Sequence, residues 1–239
     1  MTRQGQPAAG AMESLYPFLY PDTSTTGPAR LAAVLEQVRR STVAKAEEIT
    51  QLRRLVSARD SARLMSCARD AAARFAAGGQ LLAFGNGGSA TDAQQLATLF
   101  LNPGGEARPL PALGLASDTS VVTALCNDIG VEVVFARQIA AFGRPGDIAV
   151  GLSTSGSSEN LLRAFDEARR RGLLTVGIAG YEGGTMAELD SIDYLFVAPS
   201  SSVHRIQEAQ TTIYQVLWEL TQLSLAAPGP AAPGPADGR

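Results

Sequence analysis

The sequence is short of the residues that most readily bind metals and form crosslinks. Its 239 positions hold one histidine, His204, and two cysteines, Cys67 and Cys126, in apolar segments with no CxxC spacing. Both are expected to be buried free thiols of a reduced compartment. No apolar stretch approaches the roughly 20 residues that span a bilayer. The opening Met1-Thr-Arg-Gln-Gly-Gln lacks the basic-then-apolar order of a secretory signal, so a soluble cytoplasmic protein with no membrane contact is expected. Between residue 28 and Phe75 there is no aromatic side chain to stack on a base.

That last absence bears on charge. Residues 28–77 hold ten Arg/Lys against five Asp/Glu, a net +5, which leaves −8 elsewhere in a chain of net −3. A basic helical segment can meet an acidic partner surface or nucleic acid, or be the solvated face of an oligomerising helix. Without interleaved aromatics, nucleic acid is not the expected partner.

With 45% hydrophobic and 18% charged residues, the chain can bury one sizeable core. Residues 1–27, rich in Pro, Gly, Ser and Thr, read as loosely ordered, and the Pro/Gly/Ala tail 226–239 as disordered. Between them, residues 28–225 read as one domain that opens on helices over 30–56 and 59–77. In the first, Leu31, Leu35, Val38, Ile49, Leu52 and Val56 form an apolar stripe that needs a cover from the same chain or a partner subunit. The second ends at Gly78-Gly79, a C-cap signal. Strands are then predicted at 80–84, 112–116, 147–152, 173–179 and 192–197. They alternate with helices at 88–101, 118–126, 131–142, 157–171, 184–190 and 203–225. Short apolar strands separated by helices imply a parallel sheet covered on both faces, with ligands beyond the carboxyl ends of the strands.

Two loops fall at such ends. Ser153-Thr-Ser-Gly-Ser-Ser158 follows an apolar run and precedes a helix. Its hydroxyls and the free N–H groups of the new helix can converge on a phosphate, although one such hydroxyl also serves as an ordinary N-cap. Gly85-Asn86-Gly87-Gly88-Ser89 follows the first strand and opens the next helix. Its glycines admit close backbone approach, and Asn86 and Ser89 add side-chain donors. The loop is neither GxGxxG nor a Walker loop, since no lysine follows its last glycine. Polar loops without cations suit a small phosphorylated molecule better than a nucleoside triphosphate.

The segments 85–94 (Gly-Asn-Gly-Gly-Ser-Ala-Thr-Asp-Ala-Gln), 126–130, 143–147, 153–158, 180–184 and 205–208, in that order from about residue 30 to 224, resemble the sugar isomerase (SIS) domain. Within that superfamily they are similar to the phosphoheptose isomerases and the related DnaA initiator-associating proteins. The resemblance implies an α/β fold, a flavodoxin-like three-layer sandwich around a five-stranded parallel sheet, extended by N-terminal helices. It also implies a homo-oligomer, usually a tetramer, that binds a sugar phosphate. Carried over residue by residue, Ser153, Thr154, Ser155 and Ser158 hold the phosphate, and Asn86 and Ser89, within the Gly87-Gly88 loop, meet the sugar. Asp128 and Gln207 line the site.

The isomerases of this family carry a metal and acid–base set on two helices, and here the resemblance fails. The corresponding positions are Gln95, Leu99, Gln207 and Gln215, of which only Gln207 matches; a further histidine position is Gln210, and an arginine position is Pro103. Neutral glutamine is a poor base and a poor zinc ligand. No metal or other cofactor is therefore expected. His204 and Glu208, four apart on the last helix, form the alternative acid–base pair, or else a solvent-facing helix start. The preferred expectation is a phosphosugar-binding, regulatory protein that docks a protein partner. The alternative is a sugar-phosphate aldose–ketose isomerase with rearranged catalytic residues.

Overall fold

The computed structural model of the chain describes residues 28–226. The stretch expected to be loosely ordered (1–27) and the tail beyond Ala226 lie outside the described residues. The elements run α1 (Pro28–Ala76), β1 (Leu81–Gly85), α2 (Gly88–Leu101), β2 (Ala112–Gly114) and α3 (Thr119–Ile129). A 3-10 turn (Val131–Val133) leads into α4 (Val134–Phe142), β3 (Ile148–Ser153), α5 (Glu159–Arg170) and β4 (Leu174–Gly180). A second 3-10 turn (Gly184–Glu188) precedes β5 (Tyr194–Ala198) and α6 (Val203–Ala226).

The expected pair of helices over 30–56 and 59–77 is corrected to a single helix of 49 residues. Ser57-Ala58 holds no glycine or proline to stop it, and the Ser61 hydroxyl donates back to the Ser57 carbonyl instead of capping a new start. The chain divides within α1 into two compact units, Met1–Glu47 and Glu48–Arg239. Ile49, Leu52 and Val56 are buried in the second unit, whereas Leu31, Leu35 and Val38 are exposed. The segment 184–190 forms a 3-10 turn rather than an α-helix.

The sheet has the order β2-β1-β3-β4-β5 with every pair parallel. That is the flavodoxin-like order, whose switch point lies between β1 and β3. Every residue of β1, β3 and β4 is buried, and their side chains alternate between two cores. Leu81, Ala83, Val150 and Ile178 pack with Phe75, Leu96, Phe100 and Leu217 from α1, α2 and α6. Leu82, Phe84 and Ala149 pack with Phe135, Ile139, Leu161 and Phe165 from α4 and α5. Three layers follow.

Polar ties set the strand starts and the sheet edge. Asp147, buried before β3, accepts from the Gln80 N–H at 2.9 Å and the Arg144 N–H at 2.9 Å. At the edge strand β5, Tyr194 donates to Asp70 at 2.7 Å, and this bond pushes the phenol up to about 12. The Arg59 guanidinium covers the Val197 carbonyl at 2.5 Å, blunting an otherwise open edge. Cys67 is buried with its thiol pushed far up by that burial, and Cys126 is half-buried; both are free. Among the described residues no helix is long and apolar enough to cross a membrane.

Gly151, in the middle of β3, lies where the rings of Phe84 and Phe165 meet with centroids 5.2 Å apart. A Cβ there would stand 2.5 Å from the Phe165 ring and 2.7 Å from the Phe84 ring. Gly151→Ala is expected to destabilise the fold by about 1–3 kcal/mol through overpacking. Chemical denaturation measures this directly, and an unchanged midpoint would contradict the packing described.

Candidate functional site

The loops after β1, β3, β4 and β5 emerge at one edge of the sheet. The serine loop after β3 is folded on itself by its own hydroxyls. Ser153 Oγ accepts from the Gly156 N–H at 3.0 Å, and Ser155 Oγ accepts from the Ser157 N–H at 3.3 Å. The two hydroxyls also lie 3.5 Å apart, so one donates to the other and the second keeps its hydrogen available. Ser158 is the N-cap residue of α5, yet its side chain makes no capping bond. The ordinary capping role is thus unfilled by Ser158, and its hydroxyl stands beside the free N–H groups of a helix N-terminus.

The turn after β4 is docked onto this loop. Ser157 Oγ accepts from the Thr185 N–H at 3.1 Å, and the Met186 N–H donates to the Gly156 carbonyl at 2.8 Å. A Cβ at Gly156, which has φ +68°, would collide with the Gly183 carbonyl. Glycine is needed here for both the left-handed backbone and the space.

On the other side stands the glycine loop. Asn86 and Asn160 exchange two amide hydrogen bonds, Nδ2 to Oδ1 in each direction, at 2.9 and 3.0 Å. This reciprocal pair joins the loop after β1 to the first turn of α5, across the switch point. Ser89 is buried and its N–H donates to the Asn86 carbonyl at 3.0 Å. Gln207 from α6 fills the notch at Gly88, where any Cβ would clash with its carboxamide. Gln210, fully buried on the same helix, donates from Nε2 to the carbonyls of Ser153 at 2.9 Å and Ile178 at 3.0 Å. Its Oε1 has no partner among the described residues.

With this geometry in view, comparison with known proteins is direct. The SIS domain family matches residues 46–180. The chain belongs to the SIS domain family. Its SIS domain is 46% identical over 152 residues to a phosphoheptose isomerase of Roseiflexus sp. (strain RS-1), covering 63% of this chain and 76% of that one. It is 44% identical over 178 residues to that of Pelodictyon phaeoclathratiforme (strain DSM 5477 / BU-1), covering 73% and 84%. The phosphoheptose isomerase structure from Neisseria gonorrhoeae superposes with a TM-score of 0.71 at 31% identity, over 77% of this chain and 99% of that one. The expected α/β SIS fold is therefore the fold of this protein, with one long N-terminal helix in place of the expected two.

Within the SIS domain the expected residues separate into two groups. Asn86, Gly87, Gly88, Ser89, Ser153, Thr154, Ser155, Ser158 and Gln207 belong to the loops and helix just described. His204 is exposed at the start of α6. Glu208 pairs with Arg205 at 2.5 Å and not with His204. Asp128 is exposed near the end of α3, where it accepts from Asn127 at 3.0 Å. Two residues escaped the sequence reading: Asn160, which lacks any motif beyond its place after the serine loop, and Gln210, noted only as a replaced histidine.

The metal-bearing positions do not fit a metal. Gln95 Oε1 accepts from the Tyr214 hydroxyl at 3.0 Å, Leu99 packs against the apolar core, and Gln215 is exposed. Among the described residues no group of three or more His, Cys, Asp or Glu is placed to hold an ion. Asp92, one turn after Gly88, has a carboxyl held above its ordinary range by burial, with Oδ2 buried and without a partner among the described residues.

Two outcomes follow. Removing either amide of the Asn86–Asn160 pair leaves the other without its partner, so Asn160→Ala is expected to cost about 1–3 kcal/mol. The double variant with Asn86→Ala should cost much less than the two singles added, and denaturation of the four proteins gives the coupling. Asp92 has a folded pKa above its unfolded one, so the native state binds the extra proton and stability falls as pH rises through that window. Asp92→Asn should therefore raise the melting temperature at neutral pH, with the gain shrinking as pH drops into the carboxylate range. An equal gain at every pH would contradict the burial effect.

Proposed function

We propose that this chain is a cytoplasmic, homo-oligomeric SIS-domain protein that binds a sugar phosphate without isomerising it. Ser153, Thr154, Ser155 and Ser158 take the phosphate through hydroxyl and helix N-terminal donors. Asn86, Ser89 and Gln207 face the sugar, with Gly87 and Gly88 allowing close backbone approach and Asp128 at the margin. One observation carries this reading. The loops are tied together by the Asn86–Asn160 amides, whereas positions 95, 99 and 215 are glutamine, leucine and glutamine. Aldose–ketose isomerisation moves a proton between neighbouring carbons, and positioned acid–base groups contribute about 10²–10⁴-fold to such steps. Neutral amides and an alkyl chain supply none of that.

The relatives' name, phosphoheptose isomerase, favours sedoheptulose 7-phosphate as the ligand to try first. It also favours the competing reading, an isomerase whose acid and base are His204 and Glu208. Against that reading stand the exposure of His204 and the Arg205 ion pair that occupies Glu208. Assembly into a tetramer, as the resemblance implies, and docking of another protein accord with the exposed Leu31, Leu35 and Val38 on a basic segment.

The test is proton exchange. Incubated with sedoheptulose 7-phosphate in heavy water, the protein is expected to gain thermal stability while the sugar takes up no deuterium beside its carbonyl. Ser153→Ala with Ser155→Ala should abolish the thermal shift. Isotope uptake that disappears in His204→Ala or Glu208→Gln would establish the isomerase instead.

A further inference from the structure

Strand β5 is an edge of the sheet, and an open cavity of about 500 Å³ lies against it; no serine-loop residue lines this cavity. Helix α1 contributes Arg59, Asp60 and Arg63 to its walls, and every other lining residue is apolar. Met186, Leu189 and Ile192 come from the turn and loop after β4, and Leu195 and Val197 from the strand itself. The three charges are unequally engaged. Asp60 is 4% exposed and is taken by Arg59, whose Nη2 donates to Oδ2 at 2.6 Å and to the Val197 carbonyl. Arg63 has no carboxylate partner among the described residues; its guanidinium stands over the Phe196 ring, 5.9 Å from the centroid. Seated over the ring, it keeps its edge N–H groups free for a planar acceptor. Two guanidinium charges against one carboxylate leave the cleft with a net +1.

We propose that this cleft binds a small monocarboxylic acid with an apolar body, and that the bound acid strengthens the sugar-phosphate site. One carboxylate cancels the net charge of the walls and meets the free Arg63 fork in two parallel hydrogen bonds. A phosphate monoester would bring about −2 and leave the cleft negative. Sugar hydroxyls would find no partners on the apolar walls, so a polyol does not belong here either. A carboxylate on a short hydrocarbon or aromatic body uses both the charge and the apolar surface.

The link to the serine loop is the turn after β4. Met186 lines the cleft, and its N–H donates to the Gly156 carbonyl; the adjacent Thr185 N–H donates to Ser157 Oγ. An acid that spans α1 and this turn holds the turn against the loop, so less order is lost when a phosphate binds there. By linkage the sugar phosphate tightens the acid by the same factor. This coupling rests on the serine loop holding the phosphate, whereas the acid site itself does not.

Calorimetric titration of the full-length chain with hydrocinnamate tests the site, with acetate and hydrocinnamyl alcohol as probes that lack the apolar body or the charge. The acid should bind, and each partial probe should bind at least about tenfold more weakly. Arg63→Gln should weaken the acid about ten- to hundredfold, and Arg63→Lys less, because an ammonium keeps the charge without the fork. Arg63 is exposed and in no ion pair among the described residues, so the melting temperature without ligand should stay close to that of the wild type. Arg59 is left in place, since its loss would strand the buried Asp60. Leu189→Glu, which puts a carboxylate into the cleft wall, should block the acid with Arg63 intact. With hydrocinnamate saturating, sedoheptulose 7-phosphate should bind about fivefold more tightly, and Arg63→Gln should erase that gain. No binding of hydrocinnamate, or equal binding by the wild type and Arg63→Gln, would overturn the site. Competition between hydrocinnamate and sedoheptulose 7-phosphate would put the acid on the serine loop and overturn it equally. Binding of the acid with no change in sugar-phosphate affinity would overturn the coupling. Failure of the heptulose phosphate to bind while the acid still binds would remove the serine-loop reading, and the coupling with it, and leave the acid site standing.

Discussion

Four loops must meet at one edge of the sheet, and the space between them is set by side chains that are absent. Gly156 and Gly183 touch through backbone alone, Gly180 sits against the Thr154 carbonyl, and Gly88 leaves room for Gln207. Any side chain at these points would push the serine loop away from its neighbours. With the backbones this close, hydrogen bonds tie them: the Met186 N–H to the Gly156 carbonyl, the Thr185 N–H to the Ser157 hydroxyl, and the side-chain amides of Asn86 and Asn160 to each other. A loop held from both sides keeps its hydroxyls in place before any ligand arrives, which is what a small anion site requires.

Much of this edge was legible in the sequence because it depends on local pattern. Apolar runs such as Ile148–Ser153 declare strands buried on both faces, and the serine and glycine clusters after them declare loops at strand ends. What could not be read depends on pairing between distant residues. Nothing local to Asn160 announces that its amide meets Asn86, 74 positions away. The same holds for Gln210, whose partners are carbonyls of two different strands. The long helix was misread in the opposite sense: a break was expected between residues 56 and 59, yet a helix breaks only where propensity or a breaker makes it, and Ser57-Ala58 offers neither.

On the face between α2 and α6, at the positions for which the resemblance implies a metal and acid–base set, this chain has an amide accepting from a tyrosine, an aliphatic chain in the core, and an exposed amide. Tyr214 is buried, its phenol is raised by that burial, and its hydroxyl donates to Gln95 Oε1.

One helix serves as common footing for both halves of the pocket. Gln210 grips the carbonyl at the end of β3 while Gln207, one turn earlier on α6, wedges into the loop after β1. A tug on the Ser153 backbone is passed through a fully enclosed carboxamide to the same rod that braces Gly88. The two rims are consequently harnessed in parallel, so tightening one cannot be mechanically private to it.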